Sequence, residues 1–200
     1  MKELYLTILR SKNTETSEFR RASDQLARLL CAETLAELAD GREIEIETPV
    51  GATKGIAMPE SVMVVPILRA GLALIPAFIE TIRNLPVGIM GLERDEETAR
   101  ARVYYQKFPQ ELPRHAVILD PMLATGGSAS MAVEFLREKG YTPERIFFTG
   151  VVAAREGFER LAAMIPEKNI VVAAIDPELN SRKYIVPGLG DYGDRYFGTD

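Results

Sequence analysis

The stretch from residue 117 to residue 131 constrains the fold of this chain more than any other. A short apolar run at 117–119 ends in Asp120, and a cluster of small residues around Gly126 and Gly127 follows closely. This order predicts a β-strand, a tight turn and the first turn of an α-helix. Backbone N–H groups without partners and the positive end of the helix dipole meet at such a terminus, which favours phosphate binding.

Side chains in the same stretch suit a phosphorylated sugar. Thr125 and Ser128 can add hydroxyl donors, and the two glycines let a phosphate approach the backbone closely. Asp120, at the carboxyl end of the strand, can accept hydrogen bonds from sugar hydroxyls. The pattern matches neither G-x-G-x-x-G nor G-x-x-x-x-G-K-S/T, which argues against a dinucleotide site and a P-loop NTPase. The alternative is a glycine-rich turn with a capped helix and no ligand.

Buried strands and helices alternate along the chain. Apolar runs predict strands at 62–68, 86–92, 116–119, 145–152 and 169–175, and helical spacing predicts helices at 17–39, 72–83, 127–139 and 155–164. This alternation predicts an α/β fold with a doubly wound, mainly parallel five-stranded sheet and flanking helices. Ligands bind at the carboxyl ends of such strands. That edge would carry Arg69, Glu93, Arg94, Asp120 and Asp176.

Three further segments are expected within a single domain of 200 residues. Residues 40–60 predict a β-hairpin arm, with strands at 43–48 and 55–58. The charged segment 93–106 predicts a flexible lid loop or hairpin over the site, with an ordinary surface turn as the alternative. The tail, 181–200, is too rich in glycine for a helix and too aromatic for disorder, so it predicts an ordered hood over a flat ligand. Packing of the tail on its own core is the other interpretation.

Composition argues against several classes of function. The net charge of −5 argues against nonspecific nucleic-acid binding and favours a divalent metal carried by an anionic ligand. The single cysteine, Cys31, lies in an apolar helical pattern and is expected in the core. The single histidine, His115, is expected in a loop, so a Ser-His-Asp hydrolase is not favoured. No apolar run approaches about eighteen residues, so we expect a cytoplasmic chain without a membrane segment.

Three segments in this order resemble the uracil phosphoribosyltransferases, which belong to the type I phosphoribosyltransferases. They are VPILRAG at 65–71, DPMLATGGS at 120–128 and PGLGDYGDR at 187–195. The resemblance covers residues 10–200. In the wider superfamily an acid often stands at the position of Pro121, and the uracil branch resembles this chain in having proline there.

The resemblance implies a donor, an acceptor and a metal for this chain. The donor is 5-phosphoribosyl 1-diphosphate (PRPP), the acceptor is uracil and the product is UMP, as in pyrimidine salvage. Catalytic roles fall on Arg69, Asp120 and Asp191. PRPP would contact Arg69, Arg94, Asp120, Pro121, Met122, Leu123, Ala124, Thr125, Gly126, Gly127, Ser128 and Asp191, while uracil would contact Ile185, Gly190, Asp191 and Tyr192. The cofactor, Mg²⁺, would arrive with PRPP and reach Asp191 through water, without dedicated protein ligands.

The same resemblance implies a homodimer or higher homo-oligomer and GTP as an effector, with no nucleic-acid or membrane partner. Two rival functions stay open from the residues: a transferase for a purine or orotate, and a nucleotide-sensing regulator that binds RNA or a protein. Tyr192 departs from the alanine common in bacterial members. A tyrosine is tolerated there if the position acts through its backbone N–H, but it affects base specificity if the side chain points at the base.

Overall fold

The computed structural model describes residues 1–94 and 101–199, without the side chains of residues 93, 94, 101 and 102. Its strands are β1 (Glu43–Thr48), β2 (Gly51–Ile56), β3 (Val62–Leu68), β4 (Ile89–Arg94), β5 (Ala101–Lys107), β6 (His115–Leu119), β7 (Met122–Leu123), β8 (Ile146–Ala154), β9 (Ile170–Asp176), β10 (Glu178–Leu179) and β11 (Ile185–Val186). Its α-helices are α1 (Lys2–Arg10), α2 (Thr16–Ala39), α3 (Ile75–Thr81), α4 (Gly127–Glu138), α5 (Arg155–Ala162) and α6 (Tyr192–Phe197). Short 3-10 helices lie at Ala70–Leu74, Pro143–Arg145 and Glu167–Asn169.

A seven-stranded sheet in the order β5-β4-β3-β6-β8-β7, with β9 also paired to β8, forms the centre of the molecule. The five predicted strands, β4, β3, β6, β8 and β9, are mutually parallel. Antiparallel β5 falls in the segment predicted as a loop or hairpin, but its place in the main sheet was not predicted, nor was the two-residue β7. The strand β4 pairs with β3 on one side, and β6, the next parallel strand along the chain, pairs with β3 on the other. The carboxyl ends of β3 and β6 therefore form the switch point at which such sheets bind ligands.

Helices cover both faces of the sheet, which confirms the doubly wound fold. One apolar core joins α1, α2 and α3 to the sheet, and a second joins α4 and α5 to its other face. All nine residues of β8 are buried, as expected for a central parallel strand. Successive side chains of β8 point to opposite faces of the sheet. Of its consecutive residues Phe147 and Phe148, the first belongs to the first core and the second to the second core.

Two helices differ from the sequence prediction. The helix α1, which was not predicted, has nine residues and buries only Leu6 and Leu9, too short a pattern to stand out. The tail was predicted to be too rich in glycine for a helix, and this is wrong because α6 forms there. Most glycines of the tail lie outside α6 or at its end, as does Gly198, which ends the helix at φ 71°. An average over the whole tail therefore hid a short helix.

Smaller boundaries also moved. The predicted helix 72–83 is a 3-10 turn followed by α3, and the second strand of the hairpin is β2 rather than 55–58. Cys31 is buried in the core as expected. His115, predicted in a loop, is the first residue of β6, where its N–H donates to the carbonyl of Ser61. Burial lowers its pKa, with the Arg114 and Arg145 charges acting in the same direction. Across the described residues, no helix is long and apolar enough to span a membrane.

Candidate active site

The switch point brings Arg69 and Asp120 to the same edge of the sheet, because they directly follow β3 and β6. The peptide bond before Arg69 is cis. The chain after it lies against the end of β6 so closely that a Cβ on Gly71 would meet the Leu119 carbonyl oxygen at 2.3 Å. Only glycine permits this approach, and it keeps the two predicted residues on neighbouring strand ends.

A cavity of about 160 Å³ opens where β6 passes into α4. We call it the loop cavity; it is lined by Asp120 and by residues 122–129. Gly126 precedes α4 at φ 74°, and the first backbone bond of the helix runs from the N–H of Ser130 to the Gly126 carbonyl. The N–H groups of residues 127–129 therefore have no partner inside the helix. That of Gly127 makes a long hydrogen bond to the Thr125 hydroxyl, at 3.4 Å, and those of Ser128 and Ala129 are available to an anion.

Among residues 120–128, which were predicted to contact PRPP, only Pro121 does not line the loop cavity. It is buried, and its carbonyl oxygen accepts from the N–H groups of Val151 and Val152 at 2.9 and 3.0 Å. Pro121 thus ties the loop to β8 and supports the cavity from behind.

The helix α5 supports the loop from the other side, which the sequence analysis did not anticipate. A Cβ on Gly157 would meet the Ala124 carbonyl oxygen at 2.3 Å, so only glycine fits at this position. Arg160 donates to the Thr125 carbonyl at 3.5 Å and places a positive charge beside the loop. A glycine inside a predicted helix was the available signal, since it often marks a close backbone approach.

Asp120 is half-buried at the floor of the loop cavity. Burial raises the pKa of its carboxyl group to about 7, and a long hydrogen bond from the Met122 N–H opposes that rise only in part. The group therefore changes charge near neutral pH. As a carboxylate it has free acceptor capacity towards a sugar hydroxyl.

A second cavity, of about 440 Å³, adjoins the first. We call it the tail cavity; it is lined by Ala70, Met122, Ala124 and residues 182–185 and 190–193. It brings together all the positions predicted to contact a base: Ile185, Gly190, Asp191 and Tyr192. Met122 and Ala124 line both cavities, so the two lie side by side.

Tyr192 turns its side chain into the core. The residue is 1% exposed, its hydroxyl shares a hydrogen bond with Ser23, and its ring packs edge-on against Phe19 at 5.1 Å. Burial also raises the pKa of the phenol, and the hydrogen bond shared with Ser23 opposes that rise. The tail cavity is thus left with the backbone of Tyr192, which answers the question raised by its departure from alanine.

Charged side chains link the tail cavity to the end of β3, although Arg69 itself lines neither cavity. Arg69 donates to Asp194 at 2.9 Å, and Asp194 also accepts from Thr199. The Asp194 N–H in turn donates to the Asp191 carboxylate, which caps α6. Because the Arg69–Asp194 pair is exposed, it contributes only about 0–1 kcal/mol, and an arriving anion can take over Arg69 at low cost.

The remaining residues predicted at the ligand edge, and the predicted lid, are not all placed there by the structure. Arg94 ends β4, and its side chain lies outside the described part of the chain, as do residues 95–100 of the lid. The base of that segment is an antiparallel hairpin of β4 and β5. Asp176, expected at the ligand edge, is instead 5% exposed and bound by Arg10 and Gly188.

The described residues contain no group of three or more His, Cys, Asp or Glu side chains that could hold a metal. Asp191 lines the tail cavity, and its carboxylate, which caps α6, keeps acceptor capacity for a water-mediated contact. This donor set fits Mg²⁺, which usually binds through one or two carboxylates, waters and the phosphates of a ligand.

Comparison with known proteins gives consistent results. A sequence model described as uracil phosphoribosyltransferase matches residues 2–199. A uracil phosphoribosyltransferase of Malacoplasma penetrans is 46% identical over 97% of this chain and 93% of its own length. One of Saccharomyces cerevisiae is 42% identical over 96% of this chain and 89% of its own length.

Solved structures agree on the fold. A protein of Aquifex aeolicus superposes with a TM-score of 0.81 at 32% identity, covering 98% of this chain and 93% of that one. A hypoxanthine phosphoribosyltransferase of Trypanosoma cruzi, bound to IMP, gives a TM-score of 0.51 at 13% identity, covering 78% and 76% of the two chains. At that identity the likeness concerns the fold alone.

The raised pKa of Asp120 predicts a pH-dependent cost to the folded state. Between its ordinary value of 3.8 and about 7, the folded chain binds more protons than the unfolded chain, so this group lowers stability as pH rises. Asp120→Asn should be more stable than the wild type at pH 8, by on the order of 1–3 kcal/mol, and nearly equal to it at pH 4. Urea unfolding of both proteins at the two pH values measures the difference; an equal difference at both would contradict the prediction.

Proposed function

Because the chain belongs to the uracil phosphoribosyltransferase family, it is an enzyme of pyrimidine salvage that converts uracil and PRPP to UMP and diphosphate, and we propose that the loop cavity and the tail cavity are its donor and acceptor sites. One observation carries the proposal: the two cavities share Met122 and Ala124. The proposed phosphate site and base site are therefore neighbours, as the two ends of one nucleotide require.

The donor site is proposed to bind the 5′-phosphate at the start of α4. The N–H groups of residues 127–129 and the hydroxyls of Thr125 and Ser128 supply donors, and the helix dipole adds attraction. Ionised Asp120 accepts hydrogen bonds from the ribose hydroxyls. Arg69, and Arg94 by family resemblance, bind the diphosphate.

The acceptor site is proposed to recognise uracil through the backbone of the tail. Uracil presents an acceptor, a donor and an acceptor along O2, N3–H and O4. The backbone groups of Ile185, Gly190 and Tyr192 line the tail cavity and can complement that edge. Cytosine places an amine where uracil has O4, which leaves two donors facing each other in a desolvated site.

The reaction exchanges one bond at C1 of the ribose. The bond from C1 to the diphosphate oxygen breaks, N1 of uracil bonds to C1, and the N1 proton is released. Positive charge spreads over C1 and the ring oxygen while negative charge grows on the diphosphate. Arg69, exposed at the edge of the sheet, is placed to stabilise that leaving group. Mg²⁺ bound with the donor, and held through water by Asp191, would supply further positive charge to the diphosphate.

We further propose that the hairpin of β1 and β2 joins two copies of the chain. It forms a sheet of its own, and an isolated two-stranded hairpin is marginally stable in water. One face carries Ile44 and Ile46, which are 39% and 41% exposed, opposite the small residues Gly55 and Thr53. The other face carries Glu43, Glu45, Glu47 and Lys54 together with Ala52 and Ile56, which ends β2 and is 59% exposed. We call the face of Ile44 and Ile46 the isoleucine face. A second copy on the isoleucine face would bury its apolar surface. GTP regulation and the cytoplasmic location stay predictions.

The base preference tests the acceptor site. With PRPP and Mg²⁺, the protein should convert labelled uracil to UMP and should discriminate against cytosine by about 10⁴-fold in kcat/KM. Diphosphate release and chromatography of the labelled product measure both reactions. Comparable rates with the two bases would contradict recognition by the tail backbone, and no UMP at all would contradict the proposed sites.

Arg69→Ala tests the donor site. Loss of the guanidinium should raise the KM for PRPP at least about tenfold, or roughly 1.4 kcal/mol, with a much smaller change for uracil. Arg28→Ala is a matched control, since Arg28 also forms an exposed ion pair, with Glu80, between α2 and α3. Unchanged kinetics in Arg69→Ala would remove this residue from the site.

Ile46→Glu tests the hairpin interface. A charge on the isoleucine face should lower the mass measured by sedimentation from that of a dimer, or larger assembly, towards that of a monomer. Ala52→Glu adds the same charge to the opposite face and should leave the assembly intact. A monomeric wild type, or an Ile46→Glu variant that still assembles, would refute the interface.

A further inference from the structure

Two arginines hold the short segment that leads into the tail cavity. Arg10, the last residue of α1, donates through both terminal nitrogens to the Asp176 carboxylate, at 2.8 and 2.7 Å. The same side chain donates to the Gly188 carbonyl at 2.8 Å, and the Gly188 N–H donates back to Asp176 at 2.8 Å. Both backbone groups of Gly188 are therefore fixed by one ion pair.

Arg195 holds the next residue from the other side. It donates to the carbonyl oxygens of Leu189, at 2.7 Å, and of Leu9, and its second terminal nitrogen donates to that of Ser11 at 2.6 Å. Its guanidinium also lies over the ring of Phe19, 4.4 Å from the centroid. The segment 188–189 is thereby bound to the carboxyl end of α1.

This segment lies directly between residues that line the tail cavity. Ile185 precedes it and Gly190, Asp191 and Tyr192 follow it. Gly188 has φ 55°, and a Cβ there would meet the Ile185 carbonyl oxygen at 2.2 Å, so the two residues are packed against each other. A shift of Gly188 would displace the backbone on both sides of the cavity.

Docking of α1 does not itself require Arg10. The helix buries Leu6 and Leu9 in the core, and Lys2 pairs with Glu33 of α2 at 2.9 Å. Arg10 instead directs its guanidinium to Asp176, which is 5% exposed, where a bidentate charge-assisted contact is strong and geometrically demanding. The Arg10 and Gly188 hydrogen bonds outweigh the effect of burial and lower the pKa of Asp176, so it stays ionised at neutral pH.

We infer that Arg10 and Asp176 are positioning residues of the acceptor site: they fix the backbone of Gly188 so that the groups of residues 190–192 are aligned for the base. Neither side chain lines the tail cavity, so both act through the backbone. The inference rests on the proposed function, and it adds α1 to the structure that determines base recognition.

Arg10→Gln tests this role. The variant should raise the KM for uracil at least about tenfold while kcat and the KM for PRPP stay nearly unchanged, because small displacements of binding groups have large effects. The ratio of uracil to cytosine kcat/KM should fall by a similar factor. The KM of Arg10→Lys for uracil should lie between those of Arg10→Gln and the wild type, since an ammonium keeps the positive charge but not the bidentate geometry of the guanidinium. Lys2→Gln removes the other ion pair of α1 and serves as the control.

Three results would overturn the inference in an active wild type: an unchanged KM for uracil, equal rises for uracil and PRPP, or the same effect in Lys2→Gln. If Arg10→Gln does not fold, Asp176→Asn takes its place. Its amide oxygen can still accept from the Gly188 N–H, but the charge that binds Arg10 is gone, and the same split between uracil and PRPP is expected. Failure of the proposed function has a different signature, namely a wild type that forms no UMP.

Discussion

The start of α4 is the constraint on which the rest of the structure depends. Its first N–H groups have no partner within the helix, and they face a cavity at the carboxyl end of β6. The surrounding residues are arranged to keep this loop open and in place. Pro121 ties it to β8, and Gly157 lets α5 lie against its carbonyl groups. An anion site of this kind needs little from side chains, because the backbone supplies both donors and dipole.

The acceptor half of the site has a different construction. Most of its residues come from the chain after β9, which has little regular structure of its own, and charged side chains hold them in place. Arg10 and Arg195 hold the main chain of the segment, while Arg69 reaches Asp194 from the end of β3. The contact between Arg69 and Asp194 joins the two halves of the site. Arg69 is proposed to bind the leaving group, and without substrate it is held by α6, the helix that Asp191 caps.

Local features of the site were predictable and distant ones were not. The strand, turn and helix around Asp120 follow from neighbouring residues, and the parallel strands follow from continuous apolar runs. The roles of Gly157, Arg160 and Asp194 depend on contacts between elements far apart in sequence. Arg10 was missed because the apolar pattern of α1 is short, and Asp176 was placed correctly at a strand end but given the wrong environment. Tyr192 shows the same limit, since only the fold reveals that its ring faces Ser23.

The contacts of Arg10 and Arg195 have a consequence for the order in which the molecule can assemble. Arg10 bonds to a residue 178 positions away and Arg195 to one 186 positions away, whereas the loop cavity is lined by residues that are close neighbours in the chain. Closing such long loops is entropically costly and slow compared with forming local structure. A chain emerging from the ribosome can therefore build the turn proposed to bind phosphate first, whereas the half proposed to bind the base cannot close before Arg195 has been made.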